Sequence, residues 1–152
     1  MSAAVLIRPK GLARVEAMLR RLNKAQSQEV LEGIGEIVVS QTVLRIESEG
    51  PGPNNEVWPA LSDSYADWKK GVSSGGLLQL EGNLLGTIWK DATGDEVVVG
   101  SSLEYAALHQ FGGDTGRGKV KARPYLGLGP EDEDEVEQVV NDWLMDVMGF
   151  GL

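Results

Sequence analysis

The stretch Tyr105-Ala106-Ala107-Leu108-His109-Gln110-Phe111-Gly112-Gly113, followed after a polar loop by Ala122-Arg123-Pro124-Tyr125-Leu126-Gly127, decides the reading of this chain. Its first half has the apolar content of a short helix that ends at two glycines. Its second half is extended, because a proline disfavours helical backbone at the residue before it. A helix and an extended return within so few residues point to a mixed architecture.

Outward from this stretch the grammar is helices, then a small sheet, then a helix, which predicts an α+β fold in one domain over residues 1–152. A first helix is expected over Pro9–Asn23, with Leu12, Val15, Leu19 and Leu22 on one face. A longer one is expected over Ser27–Glu49, with Ser27 as cap and Val30, Ile34, Ile37, Val38 and Leu44 as its apolar face. Gly33 and Gly35 inside it suggest close backbone packing or a break. Ser62–Lys70 reads as a short helix. Leu84–Asp91 and Glu96–Ser101 read as an antiparallel hairpin turned by Thr93-Gly94-Asp95, and Lys119–Leu128 as a further extended segment. The C-terminal amphipathic helix, Glu131–Met148, carries the stripe Val136, Val139, Val140, Trp143, Leu144, Val147 and Met148. Its acidic first turn suits the positive end of the helix dipole.

Composition narrows the function. The 152 residues carry 14 basic and 23 acidic side chains, a net charge of −9. That opposes a coat for nucleic acid, which needs a basic stripe to displace counterions. There is no cysteine and one histidine, His109, so thiolate metal sites and disulfides are excluded and a zinc set is not available. The apolar run at Val5-Leu6-Ile7 is too short for a signal peptide, and no run approaches a membrane span.

Three motifs invite chemistry. Gly113-Asp114-Thr115-Gly116-Arg117-Gly118-Lys119 fits the first seven positions of a phosphate-binding loop, but Val120 follows where a hydroxyl is needed, and Pro124 opposes the helix that should hold the phosphate. A mobile loop is the expectation. His109 has no Gly-x-Ser-x-Gly partner motif and is read as packing at a helix end. The acidic run Glu131–Glu137 lacks the spacing of a calcium loop. The tryptophans Trp58, Trp68, Trp89 and Trp143 are read as core or contact anchors.

Taken in order, Trp58, Leu61, Tyr65, Lys69, then Leu77-Leu78, Gly82 and Leu84, then Val97-Val98-Val99-Gly100, then Tyr105-Ala106, His109-Gln110-Phe111-Gly112 and Ala122–Gly127 resemble the phage virion morphogenesis family, the tail-completion proteins of Mu-like phages. Glu81 stands where that family usually has threonine. The resemblance implies a structural virion protein, not an enzyme, that needs no cofactor and completes the head-proximal end of the tail or the neck. By analogy with neck proteins it implies a ring of about six copies, other tail or neck proteins as partners, DNA passing nearby without specific binding, and assembly in the bacterial host cytoplasm. Tyr105, His109, Gln110, Phe111, Arg123, Tyr125 and Trp58 become candidates for assembly contacts, with Arg123 pairing to an acid of a neighbour. The competing classes are a DNA-contacting assembly factor that uses Arg8, Lys10, Arg14, Arg20 and Arg21, and a small hydrolase built on His109.

Overall fold

A computed structural model describes residues 3–7, 17, 20–73, 75–78, 83–93 and 96–147. The helix expected over Pro9–Asn23 lies mostly outside these residues. The chain is α+β. The short apolar run near the N-terminus forms strand β1 (Ala3–Ile7), which the sequence expectations do not include. It pairs antiparallel with the strand β3 (Glu96–Ser101), from Ala3↔Ser101 to Ile7↔Val97. Strand β2 (Ile88–Thr93) pairs with the other edge of β3, from Ile88↔Ser101 to Thr93↔Glu96. The order is β1-β3-β2, so β3 is central and its Val97 and Val99 are fully buried.

Helix α1 (Lys24–Glu47) lies across one face of this sheet. It starts at Asn23, not Ser27. The Asn23 side chain accepts from the Gln26 N–H at 2.8 Å, and Gln26 Oε1 accepts from the Asn23 N–H at 3.2 Å. This reciprocal box satisfies two amide donors that the first turn leaves open. Val30, Leu31, Ile34 and Val38 are buried against the sheet. Gly35 explains the close approach: a Cβ there would stand 2.9 Å from Val97 Cγ2. Gly33 has nothing within 4 Å, and packing gives no reason for it. Lys90 of β2 reaches Glu32 at 2.8 Å and Glu36 at 3.4 Å, and Gln28 Nε2 donates to Ala92 O at 2.9 Å, which ties helix to strand edge.

Leu44, assigned above to the apolar face, is 63% exposed, while Gln41 and Arg45 are buried. The reason is the neighbour. In its last turns α1 meets helix α5 (Pro130–Val147; helices α2 to α4 follow below), whose backbone and carboxylates need donors. Val136, Val140 and Leu144 of α5 enter the core, whereas Val139 is exposed, so the buried stripe is narrower than the sequence suggested.

Helix α2 (Asp63–Lys70) follows Ser62, although the Ser62 side chain makes no capping bond. Leu84 belongs to a helical turn, α3 (Asn83–Gly86), not to the first strand of the hairpin; its side chain is buried and β2 starts only at Ile88. Helix α4 (Ala106–Phe111) ends at Gly112, whose φ of 70° is in the left-handed region. A Cβ on Gly112 would stand 2.7 Å from Val120 O, so glycine is needed there for the return of the chain. That return is a two-stranded ribbon, β4 (Gly113–Asp114) with β5 (Lys119–Val120), and from Lys121 the chain leaves regular structure. No helix of the described residues is long and apolar enough to cross a membrane.

Candidate assembly site around the helix α4 junction

Segment 122–126 works as a strut, whose hydrogen bonds reach His109, loop 50–60, Gln110, Ala106 and Arg45. The Arg123 N–H donates to His109 O at 2.8 Å. Its side chain turns the opposite way: Nε donates to Pro59 O at 2.8 Å and Nη2 to Ala60 O at 3.1 Å. Pro124 O accepts from Trp58 Nε1 at 2.9 Å. The Trp58 ring packs over Gly50, where a Cβ would lie 3.2 Å from it. Gln110 Oε1 accepts from the N–H groups of Tyr125 and Leu126, both at 3.0 Å, and its Nε2 donates to Leu126 O at 2.9 Å. One amide side chain thus imitates a strand partner. Tyr125 is fully buried, and its hydroxyl donates to Ala106 O at 2.9 Å. Burial pushes that phenol far above its ordinary range, so it stays a donor at every working pH.

A second layer holds the strut to α1. Arg45 Nη1 donates to Tyr125 O at 2.7 Å, and Nη2 pairs with Asp132 Oδ2 at 2.9 Å. The same carboxylate oxygen accepts from the Gly129 N–H at 2.8 Å, which anchors the start of α5. Arg45 and Asp132 escaped the sequence reading, because nothing in periodicity marks a buried arginine.

The candidates therefore divide. Trp58, Gln110, Arg123 and Tyr125 face inward and hold loop 50–60, α4 and the strut together; Arg123 is only 7% exposed. Tyr105 and Phe111 sit at the two ends of α4 and are 59% and 74% exposed. His109 lies between, half-buried, and its Nδ1 is buried with no hydrogen-bond partner among the described residues. Burial, and then the Arg123 guanidinium, hold its pKa below the ordinary 6.5. A histidine kept neutral in the fold destabilises it once the unfolded chain takes up a proton. The sign follows: stability contributed at neutral pH is lost as pH falls from about 6.5 toward the depressed folded value. In His109→Gln, thermal melts between pH 7.5 and pH 5 are expected to flatten relative to wild type. An unchanged slope would remove His109 from the acid response.

Beside the strut, Tyr65 and Trp68 of α2 stack with centroids 5.5 Å apart and are both exposed. Lys69 turns the other way, buried, with Nζ donating to Gly76 O. Burial holds its ammonium below the ordinary lysine range, partly opposed by Glu49. The Gly113–Lys119 motif folds as the β4–β5 ribbon and its turn, in which Thr115 Oγ1 donates to Gly118 O at 3.0 Å and the Gly116 N–H to Asp114 Oδ1 at 2.9 Å. Lys119 starts strand β5 rather than a helix, so the amide cradle and dipole of a phosphate loop are not formed.

The profile of the phage virion morphogenesis family matches residues 11–145. The "Putative capsid assembly protein G" of Escherichia phage Mu is 34% identical over 105 residues, 65% of this chain and 67% of that protein. "Mu-like prophage FluMu G protein 2" of Haemophilus influenzae is 39% identical over 80 residues, 50% of this chain and 58% of that one. "Mu-like prophage FluMu G protein 1" of the same organism is 30% identical over 107 residues, 65% and 70% of the two chains. No solved structure matches. The chain belongs to the phage virion morphogenesis family.

Proposed function

We propose that this chain is a structural subunit of phage assembly that completes the head-proximal end of the tail or the neck as a ring, and that it catalyses nothing. The observation that carries the reading is the family match over residues 11–145. The name of the phage Mu relative also speaks of assembly. The geometry around α4 supports it. A densely bonded strut holds a short helix whose two end residues, Tyr105 and Phe111, offer aromatic surface to solvent. Aromatic side chains on a rigid base are the residues that anchor protein contacts, because little conformational entropy remains to be lost on docking.

In a ring each copy offers one patch to the next, and the rotation closes after about six copies. The site is the virion, assembled in the host cytoplasm, with other tail or neck proteins above and below. Native mass spectrometry of the purified chain, with imaging of assembled particles, tests this. The expected result is a closed oligomer, a hexamer, in at least one setting; a monomer in both would overturn it.

Such a ring must let the genome pass. An acidic wall does not grip phosphates, and a chain of net charge −9 has the carboxylates for one. Gel-shift titration of duplex DNA at physiological salt is expected to give no complex. Tight binding that weakens steeply with salt would favour the DNA-contacting assembly factor.

A further inference from the structure

A groove of about 340 Å³ opens at the C-terminal end of α1, between Leu44, the turn at Pro51 and Pro53, and the start of α5 at Glu131 and Asp132. Gln41 also lines it and is 9% exposed. Its Nε2 donates to Glu135 Oε2 at 2.8 Å and approaches Asp132 O at 3.5 Å. Both are acceptors, so the amide orientation is determined. Oε1 is left buried with no hydrogen-bond partner among the described residues. A buried acceptor without a donor is disfavoured, and such groups are rare unless something supplies the donor.

The charge at this end of the helix is one-sided. Its cation, Arg45, is buried and used by Tyr125 O and Asp132. Glu131 lines the groove and is exposed, as are Asp134, three residues further along α5, and Glu47, the last residue of α1. The exposed Leu44 side chain and the prolines add an apolar wall. An N–H donor, a positive charge and an aliphatic stem together describe a lysine or arginine side chain.

The chain carries such residues at the other end of α1. Arg21 and Lys24 are exposed just before and at the helix start. Glu29, further into the helix, is the exposed acid nearest to them along it. From Lys24 to Leu44 the helix rises about 30 Å, at 1.5 Å per residue. That exceeds the reach of a side chain and several screening lengths of ~8 Å at physiological salt. Arg21 and Lys24 therefore cannot serve their own groove.

We propose that the groove receives Arg21 or Lys24 of a second copy of this chain, so that the copies join basic end to acidic end along α1. This rests on the ring reading above and names one of its contacts. A contact between two different patches at opposite ends of a subunit is the heterologous kind that generates rings.

The test uses the full chain in two charge-reversed forms, Glu131→Lys with Asp134→Lys, and Arg21→Glu with Lys24→Glu. All four positions are exposed, so each form is expected to keep its thermal midpoint. Sedimentation at low and physiological salt is expected to show self-association at least tenfold weaker in each form alone. Mixing the two is expected to restore it, because acidic end then meets basic end in alternation. If wild type oligomerises and either form does so equally well, the groove is not the contact and the ring reading stands. Loss in both forms without rescue on mixing overturns the groove contact too. A wild type that is monomeric in solution and in particles overturns both readings.

Discussion

Tyr125→Ala is expected to lower stability by about 3–5 kcal/mol, the usual cost of emptying a buried aromatic site. In a chain of this size that is a fall in melting temperature on the order of 10 °C. Tyr125 is fully buried, and its hydroxyl holds Ala106 O at the first turn of α4. Tyr125→Phe separates the two contributions. It keeps the ring and removes only the hydroxyl's bond to that carbonyl, for about 0.5–1.5 kcal/mol. Arg123→Ala belongs with them. The reading of Arg123 as an assembly residue implied a melting point untouched by its loss. Its burial and its bonds to Pro59 O and Ala60 O reverse that expectation. Losing a charged donor from two part-buried bonds costs about 1.5–3 kcal/mol. Arg123→Lys would recover little, because an ammonium cannot span both carbonyls as the planar guanidinium does. Thermal and chemical denaturation check all four variants. A Tyr125→Ala chain that melts within a degree of wild type would mean that the strut does not hold the fold.

Phe111→Ser with Tyr105→Ser is expected to do the opposite. Both side chains are exposed on a helix whose position is determined by other residues, so the melting point should move little. If α4 is a contact between copies or with a tail partner, two aromatic anchors are lost. Hot-spot residues of this kind are worth about 2 kcal/mol or more each, a factor of roughly 30 in affinity. Complete particles in a complementation assay should then fall by more than an order of magnitude while the soluble chain stays folded. Normal particle yield from the double variant would move the contact elsewhere, and Tyr65 with Trp68 would be the next surface to change. The Tyr125 and Phe111 experiments form a pair, since one should affect folding and the other assembly.

Much of the fold was readable from residue order. The α+β class followed from alternating helical and extended signals, and the hairpin from Val97-Val98-Val99 opposite a short polar turn. The family resemblance rested on ordered motifs, and their chemistry has a local reason in the structure: Gly112 must adopt positive φ, and Gln110 must face the extended strut. These features depend on neighbours in sequence, so a sequence expresses them. The inward or outward direction of Trp58, Arg123, Arg45 and Leu44 was not readable. It depends on which distant segment stands opposite: loop 50–60 offers carbonyls to Arg123 across about sixty residues, and α5 offers Asp132 to Arg45. A carbonyl is present on every residue and leaves no mark in the sequence. The sequence by itself determined the family, the class of fold and the net acidity. Only the tertiary structure decided that Arg123 and Tyr125 face inward while Phe111 and Tyr105 face solvent, because side-chain burial is set by long-range partners and not by residue type.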